Sequence, residues 1–363
     1  MIAGGGTGGH VYMGIALARE LLRRDAASEF LFVGTRRGLE ARVVPQEGFR
    51  LEFIVSAGLK RVGFVNMIRN SLIIPASLLQ SRRLVLTFDP DAVVGVGGYS
   101  SGPVVLAGWW LARPTMIIEP NAYPGFTNRL LARVVRSAAL AMPDAAEHFG
   151  HKGTVTGVPV RVQFHDLPRR ERRAGLTLLV YGGSQGSHAL NAIVCRALPD
   201  LKAFGPSLRL ILQTGEKELD AVRQACREAG VAADVRAFLP RIYEELAQAD
   251  LLLARAGAGT VAEIAAAGRA AILVPFPGAA DDHQTKNARA LEGRGAAKMI
   301  PESEWAPGRL AQEVRYFMDH PEDLDRMGDA ARKLATPDAT RRIADMVAEL
   351  AAGRSRQPKA ELG

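Results

Sequence analysis

The sequence predicts an α/β protein made of two doubly wound, Rossmann-like halves that face each other across a cleft. Three observations lead there. Short apolar runs alternate with helical patterns along most of the chain, the signature of βαβ units and parallel sheets. A glycine-rich turn follows the first apolar run of each half, GGGTGGH at 4–10 and GGSQGS at 182–187. And 363 residues exceed what one hydrophobic core organises comfortably, so two domains are expected. The Gly and Pro of 155–161, followed by the charged run 169–173, mark the boundary. We divide the chain into a first domain over 1–160, a second over 161–340, and a helix and tail over 341–363.

In chain order, the opening strand is short, as though a few residues were missing or translation began late. A helix follows over 11–24, with Ile15, Leu17, Ala18, Leu21 and Leu22 on one face. The loop between them is neither G-x-G-x-x-G followed by an acid nor a G-K-[ST] loop. It does offer bare backbone N–H groups at a helix start, which suit phosphate. His10 stands at its edge. Strands follow over 29–33 and 51–55, with a helix over 38–47 between them. Residues 58–86 hold Lys60, Arg61, Arg69, Arg82 and Arg83 without a single acid, and Leu72, Ile73, Ile74, Leu78 and Leu79 lie between them. That pattern fits an anionic membrane face or, equally, an ordinary core helix with a basic outer side. Asp89-Pro90-Asp91 has the D-x-D shape of a metal–nucleotide site but lies in a turn, where Asp and Pro are routine.

A strand over 92–96 leads into a second glycine turn, Gly97 to Pro103, and a helix. A strand over 115–118 ends in Glu119-Pro120-Asn121. The second half runs strand 177–180, glycine loop, helix from 189, strand 208–213, helix 216–230, strand 235–238 and a helical turn over 242–247. Three helices close the chain, over 307–320, 321–334 and 338–352, followed by a polar tail from Gly353.

The stretch 250–287 carries the densest chemistry. Leu251 to Ala254 reads as a buried strand, Arg255 to Thr260 as a glycine turn, and 261–267 as a helix stopped by Gly268. A second strand over 271–275 ends at two prolines, and Gln284 opens the next helix. Such a unit places Glu263, Gln284, Asn287 and a helix N-terminus at the carboxyl ends of parallel strands, where open α/β sheets bind ligands. Thr260 and Glu263 also have the T-x-x-E spacing of a capping box, which needs no ligand.

Composition narrows the function classes. Net charge is +8, and residues 1–160 carry 17 Lys and Arg against 11 Asp and Glu. A basic first half suits an anionic partner. Nucleic acid is disfavoured, because only 6% of residues are aromatic and the basic charges are not interleaved with a stacking platform of aromatics. Two cysteines, Cys195 and Cys226, offer neither metal-ligand spacing nor a disulfide framework, and they fit a reducing cytoplasm. No run of about 18 apolar residues signals a transmembrane helix, and no signal peptide is expected. No metal and no cofactor are expected. Charge on a leaving group would be met by helix dipoles, loop N–H groups and Arg161.

Seven motifs then occur in order: GGGTGGH (4–10), GVGGYSSGP (95–103), EPNAYPGFTNRLLA (119–132), GVPVR (157–161), YGGSQGSHALN (181–191), ARAGAGTVAEIAAAG (254–268) and VPFPGAADDHQTKNA (274–288). Together they resemble the MurG family of bacterial UDP-N-acetylglucosamine transferases, glycosyltransferase family 28, along nearly the whole chain. The resemblance implies the GT-B fold and an inverting transfer of GlcNAc from UDP-GlcNAc to lipid I, giving lipid II, on the cytoplasmic face of the membrane. For the donor it implies Glu263 on the ribose, Ser184, Gln185 and Gly186 on the diphosphate, and Arg161 on a phosphate. Leu239, Ala258, Gly259 and Thr260 would frame the uridine, and Gln284 and Asn287 would bind the sugar. For the acceptor it implies Thr7, Gly8 and Gly9, which also face the donor, with Gly98, Tyr99 and Ser100. Asn121 would reach the reacting centre, touching the donor as well. His10 would act as general base on the acceptor hydroxyl or orient it. The implied partners are UDP-GlcNAc, undecaprenyl-linked lipid I, an anionic inner-leaflet surface and other cell-wall synthesis proteins. The chain departs from the family pattern at Ile118 and Pro120, where H-E-Q-N is usual, and at Met13 and Ala256. Two rival readings stay open: a GT-B transferase acting on another lipid acceptor, and a non-catalytic nucleotide-sugar-binding protein.

Overall fold

Among the described residues every strand pairing is parallel, because each strand is followed by a crossover helix or turn rather than a hairpin. The structure is a computed structural model that describes residues 1–6, 8–56, 64–171, 174–183 and 185–355, with the backbone alone at 64–72, 354 and 355. Thr7, Lys60, Arg61, Ser184 and the tail from 356 lie outside the described residues, as does the side chain of Arg69.

The first sheet contains β1 (Ile2–Gly4), β2 (Leu31–Gly34), β3 (Arg50–Phe53), β4 (Val93–Gly97), β5 (Thr115–Glu119), β6 (Ser137–Leu140) and β7 (Gly153–Val155). Their order is β3-β2-β1-β4-β5-β6-β7. The second sheet contains β8 (Leu176–Tyr181), β9 (Leu208–Gln213), β10 (Ala233–Arg236), β11 (Leu251–Ala254), β12 (Ala270–Leu273) and β13 (Lys298–Met299). Its order is β10-β9-β8-β11-β12-β13. Both are therefore doubly wound. Winding reverses between β1 and β4 in one sheet and between β8 and β11 in the other, and a ligand is expected beyond the carboxyl ends of those pairs. The two glycine loops of each half leave from those four strands.

Central strands are buried on both faces, as parallel sheets require: β5, β11 and β12 have no exposed residue. In the second unit, Leu176, Leu178 and Val180 of β8 join a core with Leu190, Val194, Val314 and Phe317. The two-residue period of the strand sends Leu179 and Tyr181 to its other face.

The chain forms two compact units, one of Met1–Val160 with Thr336–Gly363 and one of Arg161–Ala335. The last helix, Ala339–Ser355, thus belongs with the first sheet. It packs on the helix Gly8–Arg24, burying Ile343 and Ala344 completely. Arg24 bridges Asp345 at 2.7 Å and donates to the Arg341 carbonyl at 2.9 Å. Burial of the apolar face carries more of this contact than the surface ion pair does.

Three strands escape the sequence pattern. β6 reads Ser-Ala-Ala-Leu, β7 is 3 residues long and β13 only 2. Strands so short or so poor in β-branched residues leave no periodic signal. Asp89 adopts φ 51° and pairs with Arg113 at 2.5 Å, which makes the D-x-D segment a turn held to its neighbour.

Gly157, at φ 79°, lies where a Cβ would overlap the Thr336 side chain, at the point where the chain re-enters the first unit. Gly157→Ala should destabilise the fold by at least about 2 kcal/mol, from left-handed strain plus overpacking. Urea unfolding checks this. Adding Thr336→Gly should recover the packing part of the loss and leave the backbone part.

Candidate active site

In the second unit the site begins with a helix N-terminus. The helix Ala258–Ala267 starts three residues earlier than its apolar pattern suggests, with Gly257 as N-cap in extended backbone and no side-chain cap bond. Thr260 is therefore the third helical residue, not the cap, and the capping-box reading of Thr260 and Glu263 is corrected. The first-turn N–H groups of Ala258, Gly259 and Thr260 have no partner within the helix, as at any helix start. Gly268 ends the helix at φ 59°, as its position after the apolar run implies.

Glu263 lies one turn deeper, half-buried. Burial raises its carboxyl to about 7, while the Arg161 charge pulls the other way. Arg161 itself is exposed. Its guanidinium lies over the Phe164 ring at 5.0 Å and the Tyr243 ring at 5.5 Å, and it donates to the Pro240 carbonyl at 3.4 Å. Leu239 is buried just before that carbonyl. An arginine stacked this way has lost much of its rotamer freedom before a phosphate arrives.

The loop after β8 is shaped by Gly183 at φ 88° and Gly186 at φ 73°. A Cβ on Gly186 would run into the Thr214 backbone, so this approach of loop to β9 admits only glycine. Gln185 is exposed at the tip. Ser187 caps the helix His188–Leu201 and accepts from the Leu190 N–H at 3.5 Å.

Arg255 fastens this loop to the others. It is 9% exposed and donates to Ser187 Oγ at 2.9 Å and to the Val274 and Pro275 carbonyls at 3.1 and 3.2 Å. It also pairs with Glu302 at 2.9 Å and lies 5.4 Å from the Phe276 ring centre. The sequence reading passed over it as part of a glycine motif. Its signal was its place between a buried strand and a glycine turn, where a charge must find partners.

Gln284 accepts from the Ala256 N–H at 3.3 Å and the Phe276 N–H at 3.0 Å, which turns its amide nitrogen outward as a donor. Asn287 is fully buried and donates to the Ala256 carbonyl at 3.1 Å. Its amide holds the glycine turn rather than a surface a ligand could reach. Asp281 and Asp282 both adopt φ 54° just ahead of Gln284. Consecutive left-handed non-glycine residues are strained, and such strain gathers at working sites.

In the first unit the glycine loop is held from beneath by Glu40, which is 1% exposed. Its carboxylate accepts from Gly6 N–H at 2.7 Å, Thr35 N–H at 2.8 Å and Thr35 Oγ1 at 2.9 Å. Side chains at Gly5, Gly34 or Gly38 would collide with it. His10 lies in the first turn of the helix Gly8–Arg24. Its Nδ1 is 3.3 Å from the Gly5 carbonyl oxygen. A carbonyl only accepts, so Nδ1 carries the proton and Nε2 is the basic nitrogen of the neutral ring. A Cβ on Gly97 would come within 2.7 Å of Nε2, so glycine there keeps the ring's edge clear. Gly98, at φ 83°, touches the Gly5 backbone. The two turns at the β1–β4 switch therefore meet. Tyr99 is 67% exposed, whereas Ser100 and Ser101 are buried with hydroxyls that bond to no protein atom. Gly8 and Gly9 open the helix beside His10.

Asn121 follows β5 and is fixed by Glu119, which accepts from its backbone and side-chain nitrogens at 2.9 Å each. Glu119 also accepts from Gly125 N–H at 3.2 Å and Asn128 Nδ2 at 2.8 Å. Burial raises its carboxyl despite these bonds, which act to lower it. Ile118 is fully buried in β5 and Pro120 is buried beyond it.

Comparison with known proteins follows this geometry. The glycosyltransferase family 28 N-terminal domain matches residues 1–140, and the family 28 C-terminal domain matches 177–343. A UDP-N-acetylglucosamine–N-acetylmuramyl-(pentapeptide) pyrophosphoryl-undecaprenol N-acetylglucosamine transferase of Anaeromyxobacter sp. (strain Fw109-5) is 47% identical over 361 residues, 99% of this chain and 95% of that one. The Myxococcus xanthus protein of the same name is 43% identical over 367 residues, 99% of this chain and 96% of that one. The crystal structure of Acinetobacter baumannii MurG superposes with a TM-score of 0.79 at 32% identity, covering 96% of this chain and 98% of that one. Both units are thus those of a GT-B glycosyltransferase, and the chain belongs to the MurG transferases of glycosyltransferase family 28.

Proposed function

We propose that this chain transfers N-acetylglucosamine from UDP-N-acetylglucosamine to the C4 hydroxyl of N-acetylmuramic acid in undecaprenyl-pyrophosphoryl-MurNAc-pentapeptide, with inversion at the anomeric carbon. One observation carries the donor half of this reading. An uncapped helix N-terminus, a half-buried carboxyl raised to about 7 and a stacked arginine lie together at the β8–β11 switch. Glu263 accepts the ribose hydroxyls. The N–H groups of residues 258–260, the glycine loop with Gln185 and Gly186, and Arg161 take the diphosphate. Gln284 donates to a sugar oxygen, and Leu239 borders the base.

The first unit serves the acceptor. The N–H groups around Gly8 and Gly9, with the turn of Gly98, Tyr99 and Ser100, suit its diphosphate. Thr7 and Ser184 keep the ligand roles that the family resemblance implies for them. As the acceptor O4 attacks the anomeric carbon, His10 Nε2 takes its proton and the bond to UDP breaks. Asn121 orients the sugar. Charge on departing UDP meets donors already in place, which is the economy of a preorganised site.

The acceptor is a lipid, and the first unit has a surface suited to a membrane. The helix Phe64–Phe88 exposes Ile74, Leu79 and Leu86 beside exposed Arg82 and Arg83. The helix Ser101–Trp110, packed against it, ends in Trp109 and Trp110, 49% and 64% exposed. Tryptophan and arginine around apolar side chains favour an anionic interface. Among the described residues no helix is long and apolar enough to cross a membrane. The lipid acceptor and this surface together support a peripheral protein working on the cytoplasmic face.

Transfer of labelled GlcNAc to a lipid I analogue, with EDTA present and a glycolipid lacking the muramyl group as control, tests the reading. Transfer to lipid I alone is expected, and His10→Ala should lower kcat at least about 100-fold with donor affinity little changed. Donor binding without transfer to lipid I would point to another acceptor, with Ile118 and Pro120 as the altered positions.

Glu263 also makes stability depend on pH. Its carboxyl is held near 7 in the fold against an ordinary 4.5, so the native state binds more protons between those values. Stability therefore falls as pH rises through that window, by about 2–3 kcal/mol once Glu263 is ionised. Glu263→Gln should melt higher than wild type at pH 8 and alike at pH 4.5. It should bind UDP about 10–100-fold more weakly. Trp109→Ser with Trp110→Ser should reduce binding to vesicles containing anionic lipid while transfer to a soluble acceptor analogue persists.

A further inference from the structure

Tyr181 ends β8 directly before Gly182-Gly183, and nothing so far accounts for its hydroxyl. The residue is 2% exposed, and its phenolic oxygen bonds to no protein atom. A buried, unmatched hydroxyl costs about 1–3 kcal/mol, enough to make phenylalanine the better residue were packing alone at stake. The strand's alternation points the ring away from the Leu178 and Val180 core, on the side it shares with Leu179. β11 pairs Ala254 with Tyr181, and the helix carrying Glu263 begins four residues beyond that partner. Burial holds the phenol protonated, and the negative charge of Glu263 acts in the same direction. A protonated phenol can only profit from a carboxylate nearby, by donating to it.

We propose that Tyr181 is a positioning residue for the donor: its hydroxyl donates to the Glu263 carboxylate when that carboxylate turns to the ribose. This rests on the donor reading of Glu263 given above. The stoichiometry permits it. A carboxylate offers about four acceptor sites, and two ribose hydroxyls leave room for a third donor. The phenol then fixes the rotamer of Glu263 and supports its ionised form, in which both ribose hydroxyls can donate. The hydroxyl left unmatched in the ligand-free fold finds its partner in the bound state, so its burial is repaid as donor affinity.

The test is a double-mutant cycle on UDP affinity, by calorimetry on the full chain, with wild type, Tyr181→Phe, Glu263→Gln and the double variant. Tyr181→Phe removes one oxygen from a packed ring, so it should fold and melt at or above the wild-type temperature. It should weaken UDP about 3–10-fold and raise KM for UDP-GlcNAc by the same factor, with kcat at saturating donor unchanged. In the Glu263→Gln background it should cost no further affinity. Unchanged UDP affinity in Tyr181→Phe would overturn the proposal and leave the donor reading standing. An equal loss with Glu or Gln at 263 would also overturn it, since the hydroxyl would then act independently of Glu263. Wild type failing to bind UDP would remove the donor reading itself.

Discussion

Parallel pairing of every strand is the constraint from which the rest of this molecule follows. Parallel strands all end on one edge of their sheet, and each helix that follows starts there with N–H groups its own turns cannot use. Winding in both directions opens a crevice where the direction changes, between β1 and β4 and between β8 and β11. The chain must make its sharpest turns at those four strand ends, so glycine collects there. Gly97 and Gly98 adopt φ 101° and 83°, and Gly183 and Gly186 adopt 88° and 73°. The same geometry that demands glycine leaves backbone N–H groups bare. The anion-binding character of the site is thus a consequence of the winding, and side chains refine it.

Three carboxylates show how that refinement is divided. Glu40 and Glu119 each accept from several donors inside the first unit, on the glycine loop and on the Asn121 turn. With their lone pairs occupied, they shape backbone and reach no ligand. Glu263 has the opposite arrangement: burial without a comparable set of donors, and only the charge of Arg161 to oppose it. A buried carboxyl left this way is expensive to ionise, and a ligand that supplies hydroxyl donors relieves the expense. The contrast separates supporting acids from binding acids without appeal to sequence similarity.

Much of this was legible in the sequence, and the reasons are physical. β11 was readable to the residue, because four buried aliphatics bounded by Asp250 and Arg255 have one interpretation. The glycine turns and Gly268 were readable because positive φ leaves few other choices. The start of the helix at Ala258 was not. Gly257 caps it with backbone alone, and Thr260 three places on offered a false cap in the usual spacing. Arg255, Glu40 and Tyr181 were also invisible as parts of the site. Each acts through specific polar partners, most of them distant in sequence, or through a lack of them, and periodicity records neither. The last helix was seen, but its attachment to the first unit rests on packing against the helix Gly8–Arg24, a contact between distant parts of the chain.

Several features unfavourable to folding stand where the ligand is expected. Asp281 and Asp282 hold left-handed backbone ahead of Gln284, Glu263 is ionised against its surroundings near neutral pH, and Ser100 and Ser101 bury unmatched hydroxyls beside the first unit's glycine turn. Each would be improved, for stability alone, by a common substitution. Away from the switches, Arg269, 1% exposed, donates to the carbonyls of Pro168, Leu246, Ala247 and Ala267. A fold that satisfies a buried arginine this completely has the means to satisfy a serine or a glutamate. Groups left unmet at the two strand switches are the ones a substrate can reach and satisfy.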